Sequence, residues 1–391
     1  MPAAPLSPPA PVLDQLASVA AAAAPPQRSP TGLLALFAQV SDPRKRRGTR
    51  HRLPVLLTLA TCAVLAGARS FTAVAEWAAD AGQAVWSALG IVRVPDESTF
   101  RRVFALLDAD ALDTILGARA AAATTPAEGT RRRIAVDGKT LRGSRDGDTP
   151  GRHLLAAIDQ HHAVVLAQRA VEAKTNEIPE LKALLGTLDL AGTVVTADAL
   201  HTQRDTASWL VDRGAHYLLV AKANQPGLSA QLAALPWTKV PTRARTCDRG
   251  HGRIETRIVK ATEVRAGIDF PRALQAVQIT RRRAVADRPA QTETVHAITS
   301  LPTHQASPTL LADLARGHWT IENRLHWVRD VAYDEDHHRA RTGNTPQVMA
   351  SLRNLAITSL RLTGTTNITQ ALRHHARRPE RPLATIMNLN C

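Results

Sequence analysis

RRIAVDG (132–138), HLLAAIDQHH (153–162), AVVLAQRAV (163–171), NEIPELKALLGTLDL (176–190), TVVTADA (193–199), TQRDTASWLVDRG (202–214) and AHYLLVAKA (215–223) form the stretch whose reading decides the fold. The first three are short runs rich in β-branched residues and bounded by turn residues, so they read as strands of an antiparallel meander. The remaining four read as helix, strand, helix and strand, the periodicity switching between 3.6 and 2. Two acids close strands in this stretch: Asp137 follows Ile134-Ala135-Val136, and Asp198 follows Thr193-Val194-Val195-Thr196-Ala197.

Three strands, a helix, a strand, a helix and a strand is the chain order of an RNase H-like α/β core. That order sets the first and fourth strands side by side, so Asp137 and Asp198 can share a ligand. Strand alternation puts Ala135 and Asp137 on one face. Gly138 lets the backbone turn there, and Lys139 and Arg142 add positive charge beside it. Each acid also has a plainer reading, Asp137 as an Asx turn and Asp198 as a helix-start residue.

Farther along, HWTIENRLHW (318–327) places a third acid, Glu322, on an amphipathic helical stretch. Ile321, Leu325 and Val328 make an apolar stripe for the core, while Glu322, His326 and Arg329 share a face at i, i+4 and i+7. A lone Glu on such a helix is ordinarily solvated surface. Its setting among Arg316, His318, Trp319, His326 and Trp327 distinguishes this one. Asp330, Asp334, Glu335 and Asp336 are rivals for the same role.

Three carboxylates converging from two strands and a helix can hold two divalent ions against a phosphodiester. Hard oxygen donors point to Mg²⁺ or Mn²⁺. Zinc is disfavoured, because Cys247 and His251 have no second pair of ligands nearby. The histidine pairs 161/162, 337/338 and 374/375 read as surface polar residues.

Composition agrees with that chemistry. The 391 residues carry 49 Lys+Arg against 34 Asp+Glu, a formal net charge of +15, and most of the basic residues are Arg. Such a field suits a polyanion, and guanidinium groups suit bidentate phosphate contacts; a merely soluble basic surface is the bland alternative. Cys62, Cys247 and Cys391 have no paired spacing, which argues against a disulfide framework and for a reducing, cytoplasmic setting. The most apolar run, Leu53 to Ala68, is short for a membrane span and is bracketed by Arg52 and Arg69, so a buried helix is expected.

Organisation follows from the same signals. Residues 1–30 are an Ala/Pro-rich stretch expected to be disordered. Residues 31–123 read as a helical domain with a basic loop at 42–48 and Ser98 as an N-cap. Residues 124–133 form a linker. The α/β core is expected over 134–370, with a β-rich insertion at about 238–300 before its last helices, and 371–391 is a basic tail.

DPRKRRGTRHRLPVLLTLA, VDGKTLRGS, KTNEI, TADALHTQRD, YLLVAKANQP, DRGHGRIETR and HWTIENRLHW together carry a resemblance that spans about residues 33–360. The chain resembles the DDE transposases of bacterial insertion sequences, within the IS4-like superfamily and more closely the ISAs1 family with its H-repeat-associated proteins. The resemblance implies an RNase H-like fold with Asp137, Asp198 and Glu322 as the metal-binding acids. It implies a β-rich insertion before the Glu helix and a helical N-terminal domain that contacts element ends. It also implies that Lys222, Asn224 and Gln225 lie near DNA and active site. Together with Lys139, Arg142, Arg316, His318, Trp319, His326 and Arg329 they make up the expected DNA-facing set. The wider superfamily carries Tyr, Arg and Lys at fixed offsets around the Glu; here those offsets fall on Ala315, His318 and Arg329. The implied function is metal-dependent cleavage and strand transfer at inverted-repeat ends by a dimer on double-stranded DNA, in the bacterial cytoplasm at the nucleoid. Alternatives are a silent DNA-binding descendant of a transposase and an RNase H-like nuclease.

Overall fold

A computed structural model describes residues 32–387, apart from 46, 48, 173–175, 251, 265–266 and 286–287. The Ala/Pro-rich stretch expected to be disordered, His251 and Cys391 therefore lie outside the described residues.

Among the described residues six helices come first: α1 (Gly32–Phe37), α2 (Leu53–Leu65), α3 (Phe71–Asp80), α4 (Gly82–Leu89), α5 (Glu97–Leu106) and α6 (Ala109–Ala123). Helix α2 is the most apolar run of the chain. Every residue in it except Pro54 is buried, and Pro54 sits in the first turn, where a missing N–H costs nothing. Helix α5 starts two residues earlier than Ser98 suggested, with Asp96 as its N-cap. The Asp96 carboxylate accepts from the Thr99 N–H at 2.8 Å, and Ser98 lies inside the first turn with its hydroxyl on Asp96. Among the described residues no helix is long and apolar enough to cross a membrane.

The sheet follows. Strands β1 (Arg133–Thr140), β2 (His153–Asp159) and β3 (Val164–Val171) form the expected antiparallel meander. Helix α7 (Glu177–Leu185) leads to β4 (Val194–Ala197), and α8 (Arg204–Asp212) leads to β5 (His216–Ala221); β4 is parallel to β1, and β5 to β4. After α9 (Pro226–Ala233) come β6 (Ala244–Gly250), β7 (Arg253–Glu263), β8 (Gln275–Val285) and β9 (Arg288–Thr299). The order across the nine-stranded sheet is β3-β2-β1-β4-β5-β9-β8-β7-β6. Its first five strands have the arrangement that an RNase H-like core requires. The β-rich stretch is an extension of that sheet, because β9 pairs antiparallel with β5.

Alternation along the strands feeds two faces. Ile134 and Val136 pack with Leu181, Leu184 and Leu210 of α7 and α8, whereas Ala135 joins the opposite core. That opposite core also contains Leu56 and Phe100 of the first helices, together with Ile321, Leu325 and Leu352. Helices α1–α6 share this core with the sheet and the last helices.

Those last helices are α10 (Pro308–His318), α11 (Trp327–Tyr333), α12 (Thr345–Leu362), α13 (Ile368–Ala376) and α14 (Glu380–Met387). Between α10 and α11, Glu322–His326 forms a π-turn, with the Trp327 N–H on the Glu322 carbonyl. Helix α12 is buried over nearly its whole length. Two histidines expected at the surface are inside. Burial pushes the His338 imidazole down to about 3, and His375 is buried with Nε2 2.8 Å from the Thr385 hydroxyl.

Candidate active site

Asp137 and Asp198 leave the sheet together. Val136 pairs with Ala197 across the parallel strands β1 and β4, so the two acids are the next residues on neighbouring chains. Alternation aims both toward the face covered by α10 and α11. Burial raises the Asp137 carboxyl to about 6 despite the opposing pull of His326 and the Gly138 N–H; the charges of Asp198 and Glu177 raise it further. Asp198 is exposed. One of its oxygens accepts from the Leu200 N–H at 3.0 Å, capping the short turn Ala199–His201. The helix-start reading and the place beside Asp137 thus hold for the same residue.

Glu322 comes from the π-turn across the cleft. Its Oε2 lies 3.2 Å from His326 Nδ1, a contact that holds its carboxyl below the usual range. His326 Nδ1 is also 3.6 Å from Asp137 Oδ2. One ligand atom each from Asp137, Glu322 and His326 lie within 4.8 Å of one another, a spacing that fits one ion. Asp198 is outside that group but lines the same cleft.

The rival acids are otherwise engaged. Lys139 Nζ is 2.7 Å from Asp330 and 3.6 Å from Asp336, and Arg142 is 3.6 Å from Asp336. Asp334 takes a left-handed turn and meets His337 at 2.6 Å. Glu335 is buried between Arg329 and Arg353, at 2.7 and 2.9 Å. Burial alone would raise its carboxyl, but the two guanidinium groups outweigh that and hold it at about 2.

Two of the expected DNA-facing residues, Arg329 and His326, face inward instead. Arg329 is fully buried on Glu335, and the reason is the π-turn. One residue of slip rotates everything beyond it by about 100° relative to an unbroken helix, which takes Arg329 off the Glu322 face. His326 is buried beneath Glu322. His318 lines the cleft half-buried, with Nδ1 3.3 Å from the Thr196 hydroxyl, and burial depresses its imidazole to about 4. Lys139 and Arg142 face acids of their own chain. Asn224 donates to the Ala199 carbonyl and Gln225 to Gln203 at 3.0 Å, tying the end of β5 to the Asp198 turn. Lys222, Arg316 and the half-exposed Trp319 do line the cleft, Arg316 also meeting Asp248 at 3.0 Å.

The cleft measures about 1110 Å³, and its far wall was not foreseen. Arg253, Glu255 and Arg257 alternate onto one face of β7, and Arg281 stands opposite Arg257 on β8. Glu255 bridges the two, meeting Arg281 at 2.8 Å. The alternation in RIETRIV was the available signal.

A second unforeseen cluster backs the acids. Glu177 Oε1 is 2.7 Å from His153 Nε2, and its Oε2 is 3.0 Å from His201 Nε2. It thereby joins the strand beside Asp137 to the turn after Asp198. Burial would raise the Glu177 carboxyl, but the two imidazoles hold it at about 2. A Cβ at Gly138 would come 2.3 Å from Glu177 Oε1 and 2.7 Å from His153 Nε2, so both side-chain ends would have to move. Gly138→Ala is expected to lower stability by about 1–3 kcal/mol, the usual range for overpacking. An unchanged urea midpoint would show that the cluster is not this tight.

The family pattern described as "Transposase DDE domain" matches residues 128–359, and one described as "DDE_Tnp_1-associated" matches 34–118. The chain is 31% identical over 353 residues to "Putative transposase YncI" of Escherichia coli O157:H7, covering 84% of this chain and 87% of that one. It is 31% identical to "H repeat-associated putative transposase YhhI" of Escherichia coli K12, over 58% of this chain and 63% of the other. A solved piggyBac transposase synaptic complex with hairpin DNA aligns over 92% of this chain and 78% of its own. The TM-score there is 0.42 and the identity 11%, too distant a likeness to carry argument.

Proposed function

Since the chain belongs to the transposase DDE-domain family, we propose that it binds the inverted-repeat ends of its own insertion sequence as a dimer, cuts there and joins the freed 3′-hydroxyl to target DNA. The observation that carries this reading is the convergence of Asp137 and Glu322 to within one ion's reach, beside Asp198, in a cleft with a basic wall. Two Mg²⁺ or Mn²⁺ ions, when bound, supply an activated attacking oxygen and stabilise the leaving one. Asp137, Asp198 and Glu322 would hold the ions, Asp137 neighbouring Asp198 across the strands and Glu322 across the cleft. Lys222, Arg253 and Arg316 hold the backbone phosphates, and Trp319 lies against the nucleotides at the cleft mouth. Lys139 keeps Asp330 and Asp336 occupied, so those acids do not compete for the ions.

Helices α1–α6 contact the element ends, in the bacterial cytoplasm at the nucleoid. Each chemical step hydrolyses a phosphodiester or exchanges one for another, so no nucleotide triphosphate is consumed. The test uses purified full-length protein, Mg²⁺, a duplex carrying the element's terminal repeat and a supercoiled target plasmid. Cleavage at the repeat boundary followed by joined product is expected. Cleavage without joining would identify a nuclease, and binding without cleavage under any divalent ion a silent DNA-binding descendant.

A further inference from the structure

We propose that His326 is a positioning residue: its Nδ1–H holds the Glu322 carboxylate beside Asp137, and the imidazole is not itself an ion ligand. This rests on the reading that Asp137 and Glu322 hold a divalent ion. Spacing alone would admit His326 as a third ligand, because its Nδ1 is 3.2 Å from Glu322 Oε2 and 3.6 Å from Asp137 Oδ2. Cis ligands of an octahedral ion at about 2.1 Å stand roughly 3 Å apart, so these separations do not exclude it.

The two ring nitrogens together weigh against ligation. His326 is 3% exposed, and its Nε2 is buried with no hydrogen-bond partner among the described residues. A ligand must offer a lone pair, so ligation through Nδ1 places the ring hydrogen on Nε2. Nε2 is unpartnered in either tautomer, but ligation would turn it into a stranded N–H donor and would also forfeit the Nδ1–H bond to Glu322. Histidines that bind metals almost always donate the second N–H to a carboxylate, carbonyl or water. With the hydrogen on Nδ1, the ring donates to Glu322 at ordinary hydrogen-bond distance and faces Asp137 as well.

The backbone fits this assignment. The π-turn carries both Glu322 and His326, and Leu325 beside them is buried. The ring is therefore fixed by packing, while the Glu322 carboxylate, half exposed on a flexible side chain, needs a tether. The nitrogen donor supplies it and leaves the ion an all-oxygen set, which suits Mg²⁺.

Mn²⁺ titration of the full-length protein, followed by electron paramagnetic resonance, tests the proposal. Wild type is expected to bind Mn²⁺ with no directly coordinated ¹⁴N in its hyperfine spectrum. His326→Ala is expected to weaken binding by about 10- to 100-fold, as loss of a supporting partner does. His326→Asn places an N–H where Nδ1 stood, and should restore affinity to within a fewfold of wild type. A coordinated-nitrogen signal in wild type that vanishes in His326→Ala would overturn the proposal, as would His326→Asn being as weak as His326→Ala, or His326→Ala binding like wild type. The wild-type spectrum gives an answer even where a variant fails to fold. Binding that survives both Asp137→Ala and Glu322→Ala would instead sink the metal-site reading itself.

Discussion

Asp137→Asn is expected to abolish DNA cleavage and, in the absence of divalent ions, to make the protein more stable. Both effects come from the same placement. Burial, together with the charges of Asp198 and Glu177, lifts the folded carboxyl from 3.8 to about 6 in spite of His326 and the Gly138 N–H. The folded state therefore binds this proton more tightly than the unfolded chain does. Stability falls as pH rises from about 4 to about 6, and above that the full penalty applies. The rise from 3.8 to about 6 corresponds to at most about 3 kcal/mol; with the side chain 30% exposed, solvent screening reduces this to roughly 1–2 kcal/mol.

Asn is isosteric and carries no such penalty, so Asp137→Asn should melt higher than wild type at pH 7.5 in EDTA and match it near pH 4. Adding Mg²⁺ should reverse the ranking, because an ion that binds only the folded wild type stabilises it by mass action. Cleavage should fall by roughly a thousandfold or more, the equivalent of about 4 kcal/mol of lost charge stabilisation. A lower melting temperature for Asp137→Asn in EDTA at pH 7.5, or cleavage at the wild-type rate, contradicts the assignment.

What the sequence disclosed about this site, and what it concealed, follows from the range of the interactions involved. Asp137 and Asp198 were legible because period-2 alternation and chain order are local signals, and parallel pairing of β1 with β4 then fixes which residues are neighbours. The apolar stripe of Ile321, Leu325 and Val328 was legible for the same reason, and all three are buried. Arg329 was not. An unbroken helix puts it above Glu322, and only the extra residue of the π-turn, which no composition rule marks, turns it inward. Glu177 was equally hidden. Its partners His153 and His201 lie 24 residues away on either side, and only the folded sheet brings them together. The extension of the sheet through β9 was invisible too, since edge-to-edge pairing of β5 with a strand about 80 residues later leaves no periodic trace.

Glu335→Gln is expected to cost the fold about 3–5 kcal/mol, the range seen when one partner of a buried ion pair is removed. Glu335 ties Arg329 of α11 to Arg353 of α12, and all three side chains are within about 1% of full burial. Removing its charge strands two guanidinium groups in the core. A sharp fall in the urea midpoint at pH 7 is therefore expected, and a midpoint close to wild type would contradict it. The pH dependence has a definite sign: the carboxyl is held at about 2, below its ordinary 4.5, so its contribution is complete above about 4.5 and is lost as pH falls toward 2. Glu335→Gln should lose this portion of the acid transition. The network is nonetheless poorly satisfied, since Arg353 Nε and Nη2 have no hydrogen-bond partner among the described residues. Replacing the whole triad by Arg329→Met, Arg353→Met and Glu335→Leu should therefore be far less destabilising than Glu335→Gln alone, because no uncompensated charge remains. The difference between the two variants separates the cost of breaking the pair from the worth of having it. It also bears on Glu322, whose helix continues directly into Arg329. If the triad anchors that helix, cleavage by the apolar triple variant should survive only where its core packing keeps Glu322 opposite Asp137.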